Sequence, residues 1–142
     1  MKDKGGFEYI NHTADAGLTA WGVSPAELFK QATLGLLNMM LELDKVRISG
    51  EKELTVMGKG YEELIVRWLS EIKDTVEWDG FAVKDILIAK LTEKHLEGKL
   101  LGEPFDPKRH EIVTEVKRVT YHNLEVSRDE QGIWRTTIIF DL

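Results

Sequence analysis

Between residues 61 and 76 the chain carries Tyr61, Leu64, Ile65, Trp68, Leu69, Ile72 and Val76 at steps of three and four. That spacing places all of them on one face of an α-helix. Local propensity alone does not hold a helix of this length in water, so a comparably broad apolar surface must cover that face. The opposite face carries Glu62, Glu63, Arg67, Glu71 and Lys73 and reads as solvated. Trp78-Asp79-Gly80 ends the helix.

What covers the stripe is mostly strand. Ser24-Pro25-Ala26-Glu27 starts one more helix: Ser24 caps, Pro25 suits the first helical position and Glu27 completes a capping box. It runs to about residue 43 with Phe29, Ala32, Leu36 and Met40 at helical spacing, and the Met39-Met40 pair reads as core filling. Residues 7–12 and 17–22 alternate as strands, with a tight polar connection over residues 13–17. Residues 46–57 read as a strand pair, or one long strand bent around Ser49-Gly50. Residues 81–91, 95–101, 114–120, 124–128 and 133–141 read as further strands. Residues 102–110 form a polar loop, and residues 129–132 form a hairpin turn. The expected fold is α+β, two helices packed on one mostly antiparallel sheet, in a single domain over residues 1–142.

Composition narrows the chemistry. The chain lacks cysteine, which removes disulfides, thiolate metal sites and cysteine nucleophiles. A polar start and the lack of a long apolar run point to a soluble cytoplasmic protein with no membrane partner. The net charge of −6 argues against a broad phosphate-binding surface and suits a basic partner or a cation. Three Asn and two Gln beside many Glu and Lys suggest a thermophile.

The end of the chain holds the first unusual feature. Asp141 adjoins Leu142, whose main-chain carboxylate is free if nothing follows it. Asp15 lies in the turn after the first strand. If the last strand ran beside the first, Asp15 and these two carboxylates would converge into a site for a hard cation, Ca²⁺ or Mg²⁺. The plainer alternative makes Asp15 a turn residue and Asp141 a frayed end. His95 sits among Glu93, Lys94 and Glu97 and reads as surface. His12, His110 and His122 fall at strand ends or in loops, where each could orient another group or meet a partner. There is no phosphate-cradling Gly-rich loop, no nucleophile elbow and no zinc-type histidine pair on a helix. Lys117-Arg118 is basic but isolated.

Four ordered segments carry a resemblance. His12-Thr13-Ala14-Asp15-Ala16-Gly17 after an aromatic strand resembles the opening motif of the archease family. Gly102-Glu103-Pro104-Phe105-Asp106-Pro107-Lys108-Arg109-His110 is similar to that family's Gly-Glu-x-x-Asp-x-x-x-His loop. Val116-Lys117-Arg118-Val119-Thr120-Tyr121-His122 resembles a third motif, and Ile138-Ile139-Phe140-Asp141-Leu142 the family's ending. Leu18 and Leu142 depart from the more usual Ile. The resemblance implies a strand-helix-strand-strand module with elaborations, from a thermophilic archaeon. It implies a metal held by Asp15, Asp141 and the carboxylate of Leu142, calcium foremost with magnesium or manganese as alternatives. It implies an accessory role: activating the RtcB-type RNA ligase of tRNA splicing by promoting its guanylylation and turnover, with no catalysis of its own and with RNA met through the ligase. His12, Glu103, Asp106, His110, Lys117 and His122 become docking or metal-orienting candidates. Two other readings stand beside it: a metal-dependent phosphoester hydrolase acting alone, and a chaperone-like binding module.

Overall fold

The computed structural model describes residues 5–11 and 15–142. Two strands open it, β1 (Gly5–Asn11) and β2 (Asp15–Gly22), followed by helix α1 (Pro25–Met40). A short 3-10 turn (Leu43–Lys45) leads into β3 (Gly50–Met57), and helix α2 (Tyr61–Glu77) follows. Next come β4 (Phe81–Leu91), β5 (His95–Pro104), the two-residue strands β6 (Arg118–Val119) and β7 (Ser127–Arg128), and the closing strand β8 (Trp134–Asp141).

The class is α+β as expected, but the strands divide into two sheets. One has the order β1-β2-β8-β6, with β7 also pairing β8, and the other the order β3-β5-β4. Every pairing is antiparallel. The split follows from where each strand finds its partner: β8 takes β2, while β4 and β5 pair closely with each other through two register shifts. Such shifts bend and twist a hairpin away from a flat continuation. Gly102 sits at one of them because the backbones nearly touch: a Cβ there would lie 1.9 Å from the carbonyl oxygen of Ala82.

The apolar stripe of α2 forms the middle of the core. Leu64, Ile65, Trp68, Leu69 and Ile72 are fully buried, and Val76 nearly so. They join Phe29, Ala32, Leu36 and Met40 of α1 in one hydrophobic cluster with Leu18, Ile138, Phe140, Ile86 and Leu100 from the sheets. Each such burial stabilises by roughly 1.5–3 kcal/mol for a large aliphatic or aromatic side chain. Trp68 is the largest fully buried side chain. Its indole Nε1–H donates to Thr33 Oγ1 at 2.9 Å, and that hydroxyl donates to the Phe29 carbonyl at 2.7 Å. One threonine thus satisfies the polar atom that the tryptophan carries into the core. Ser24 caps α1 as expected, with Glu27 N–H donating to Ser24 Oγ at 3.1 Å, while the Glu27 carboxylate accepts from Gln31 Nε2 at 2.8 Å. No helix among the described residues is long and apolar enough to cross a membrane.

Several segments are less regular than alternation suggested, because side chains replace ladder partners. Residues 46–49 are not strand: the Arg47 N–H donates to Glu103 Oε2 at 2.7 Å, while Val46 is buried. β5 runs on to Pro104, so Glu103 is strand rather than loop. Of residues 114–120 only β6 is strand, and of residues 124–128 only β7. The N–H of Val116 donates to Glu77 Oε2 and that of Val126 to Glu62 Oε2. The polar face of α2 is therefore partly covered, which period alone does not reveal. Lys73, expected in solvent, is buried and forms ion pairs with Glu77 at 3.0 Å and Asp74 at 3.1 Å.

Replacing Thr33 with Val keeps the shape but strands the buried indole N–H. Thr33→Val should lower unfolding free energy by about 1–3 kcal/mol in urea denaturation. In a Trp68→Phe background, which has no such donor, the same change should cost clearly less.

Candidate site at the acidic end of the larger sheet

β8 is inserted between β2 and β6, and its register sets what converges at its end. The pairs Leu18–Ile138 and Ala16–Phe140 point toward the core, and Thr19–Thr137 points the other way. The two threonine hydroxyls lie 3.0 Å apart. Two steps further along each strand that outer row ends in Asp15 opposite Asp141. Asp15 is thus the first residue of β2 rather than a turn residue. The convergence arises because β8 runs beside β2, not beside the first strand as the sequence reading supposed. The extended conformation at Asp15 continues the row of β2 that stays in register with β8.

Like charges directly opposite in an antiparallel pair repel. Arg118 answers part of that charge from β6, where it pairs Asp141 in register, and its Nε donates to Asp141 Oδ2 at 2.9 Å. The main chain of the same segment is tied down as well: Lys117 N–H donates to the Asp141 carbonyl, and Thr120 N–H and Oγ1–H both donate to the Ile139 carbonyl. A cavity of about 460 Å³ opens here, lined by Asp15, Asp141, Arg118, Thr120, Tyr121 and His122. Asp15 also borders a second cavity of about 300 Å³ with Tyr9, Asn38, Met39, Thr114 and Leu142. Asp15, Asp141 and Leu142 are accordingly brought to one end of the sheet. His122 lines the same cavity as the two aspartates, whereas His12 lies outside the described residues.

The donor set is chemically suited to a hard cation, since carboxylate oxygens are its preferred ligands. No group of three His, Cys, Asp or Glu side chains among the described residues is placed to hold a metal. A cation here would draw on two side-chain carboxylates and whatever oxygen the main chain at Leu142 adds. Arg118 was the residue missed by the sequence reading. Its basic pair looked isolated because its partner lies twenty-three positions further on.

The expected loop residues fall elsewhere. Glu103 accepts from Arg47 N–H at 2.7 Å, from both terminal nitrogens of Arg109 at 2.6 and 3.3 Å, and meets His110 Nε2 at 3.0 Å. His110 Nδ1 accepts the Asp106 N–H at 2.8 Å, so Nε2 carries the hydrogen that goes to Glu103. Glu103 and His110 are buried. Their bonds are internal ones, which tie residues 104–110 to the sheet. Asp106 supports the same turn, accepting from Lys108 N–H at 3.0 Å. Lys117 is exposed, and its side chain borders a different groove, beside Trp78.

Two helices over antiparallel sheets, with an inserted last strand that ends in an acidic cross-strand pair, define a small α+β domain of a particular design. The model of the Archease protein family matches residues 7–142. The protein archease of Methanopyrus kandleri is 38% identical over 139 residues, covering 96% of this chain and 99% of its own. That of Sulfolobus acidocaldarius is 33% identical, covering 96% and 98%. The solution structure of Methanobacterium thermoautotrophicum protein 1598 superposes with a TM-score of 0.77 at 30% identity, over 96% of this chain and 99% of that one. The chain belongs to the archease family. Membership supports an accessory protein of the RNA ligase system.

The Glu103 knot has a pH signature. Hydrogen bonding from Arg109, then from the Arg47 amide, outweighs burial and, with His110, lowers the Glu103 carboxyl from 4.5 to about 2. A carboxyl held lower in the folded state adds stability that is complete above pH 4.5 and is lost as pH falls toward about 2. Glu103→Gln should therefore be less stable at neutral pH, and its urea midpoint should fall less steeply across that window than the wild type's.

Proposed function

We propose that this chain, acting as one domain, is a metal-binding activator of an RtcB-type RNA ligase, promoting the ligase's guanylylation and repeated turnover without making or breaking bonds itself. The observation that carries the metal half is the direct opposition of Asp15 and Asp141 in the β2–β8 register. Two carboxylates opposed across paired strands are stabilised by a cation between them, in the way that Arg118 already brings positive charge to Asp141. A chain ending at Leu142 would add its main-chain carboxylate. Ca²⁺ is the leading ion, with Mg²⁺ or Mn²⁺ as alternatives, since an all-oxygen set tolerates Ca²⁺ geometry best. A bound ion would supply a positive edge able to orient phosphate or carboxylate groups of the ligase complex.

Family membership supports the ligase half. The net charge of −6 suits a basic, RNA-handling partner. His122 borders the acidic cavity and is the described histidine placed to meet a partner there. RNA would be met through the ligase.

With a cognate ligase and GTP, the protein should accelerate guanylylation, and lack of acceleration of an active ligase would sink the activator reading. Asp141→Asn and Asp15→Asn should each weaken Ca²⁺ binding about tenfold or more in calorimetry and abolish the Ca²⁺-dependent rise in Tm. A C-terminal extension beyond Leu142 should weaken it too. Unchanged affinity in all three would remove the metal site and leave the family assignment intact.

A further inference from the structure

We infer that the groove beside Trp78, at the C-terminal end of α2, docks an arginine side chain of a basic protein partner. Trp78 is 80% exposed, the most exposed large hydrophobic side chain among the described residues. Yet its mount is firm. Its N–H donates to the Asp74 carbonyl at 2.8 Å, and the next N–H, of Asp79, reaches the same oxygen at 3.2 Å. Gly80 then turns the chain at φ +68°, and its carbonyl accepts the Phe105 N–H at 2.7 Å. With the main chain fixed, only the two side-chain torsions of the tryptophan remain to be ordered when something covers it, the low cost that makes tryptophan an interface anchor.

The groove has a volume of about 460 Å³. Ile112 and Val116 line it with apolar surface, Glu77 and Glu115 with carboxylates. Its two cations differ. Lys73 is buried and already neutralised by Asp74 and Glu77, so Lys117 is the one that adds net positive charge. Against it stands the end of α2, whose last carbonyls carry partial negative charge and whose last turn holds no basic residue. Asp79 follows directly. The lining itself carries two acids and two bases, and Asp74 and Asp79 at the end of α2 tip the surroundings of the aromatic face negative, which is the recognition chemistry of a cation. Arginine suits it better than lysine: a planar guanidinium stacks on the indole and donates sideways to carboxylates at the same time. A nucleobase could also stack on Trp78, but its phosphate would face the negative helix end.

The placement ties the groove to the acidic pair. Val116 and Lys117 line the groove, and the next residue, Arg118, lines the cavity with Asp15 and Asp141. A partner seated on Trp78 would lie along the same short segment that fixes Asp141. The proposal deepens the activator reading by assigning a contact surface, and it stands on Trp78 and its surroundings rather than on the metal.

The test has two arms. In the first, the full chain labelled with ¹⁵N is titrated with a short arginine-containing peptide, its lysine counterpart and a single-stranded RNA oligonucleotide, following the Trp78 indole signal. The arginine peptide should shift that signal saturably and more tightly than the lysine peptide, and Glu115→Gln should weaken the effect. A preferential response to RNA, or none to arginine, overturns the proposal. In the second, affinity for the cognate RNA ligase is compared for wild type, Trp78→Ala and Trp78→Phe. Trp78→Ala should weaken binding about tenfold or more with unchanged Tm, and Trp78→Phe should restore part of it. Wild-type affinity in Trp78→Ala overturns the proposal. If the wild type does not bind the ligase, the activator reading fails and the peptide arm alone decides the groove.

Discussion

The pairing of β8 with β2 is the constraint on which the rest hangs. It joins the two ends of the chain in the middle of one sheet, and β6 and β7 exist as strands only because β8 is there to receive them. Period-two alternation does the sorting. The inner row, Ala16, Leu18 and Ala20 against Phe140, Ile138 and Thr136, enters the core under α1. The outer row is then obliged to bring Thr19 to Thr137 and Asp15 to Asp141. A slip of one residue would turn the apolar row to solvent and separate the acids by a face. The energetics of the core thus hold two like charges opposite each other, and Arg118 relieves part of the repulsion.

Elsewhere the fold replaces backbone ladder bonds with glutamates. Glu103 catches the Arg47 amide, Glu77 the Val116 amide and Glu62 the Val126 amide. Each lets an irregular segment lie against the sheets or α2 without leaving a donor unsatisfied. The consequence is mechanical. Residues 102–110 are pinned through Glu103, Arg109 and His110, and residues 112–118 are held in turn by the end of α1, by Glu77 of α2 and by β8. The acidic cavity and the Trp78 groove share that second segment, so the surface offered to a partner is borne by backbone anchored at both sides.

The helices were legible because amphipathic period is local: Tyr61 to Val76 and Phe29 to Met40 announce their buried faces residue by residue. The strand ends were less so. Residues 46–49, 114–117 and 124–126 alternate or are apolar, yet distant side chains claim their amides, and nothing in a short window reports that. For the same reason Lys73 reads as solvent-facing from helical period and is buried in fact. His110 resembled a contact residue until its ring nitrogens were both found engaged, one by the Asp106 amide and one by Glu103.

By itself the sequence determined the α+β class, both helices, the alternation of β8 and, through ordered motifs, the archease family. It also marked Asp15 and Asp141 as unusual. Only the tertiary structure decided that Asp15 begins a strand, that its cross-strand partner is Asp141, that Arg118 pairs with Asp141, and that Glu103 and His110 are buried while Trp78 is open to solvent. The reason is one of range. Helical and strand periods are written in neighbouring residues, whereas register between chain ends and the capture of an amide by a remote carboxylate depend on three-dimensional packing that no local spacing encodes.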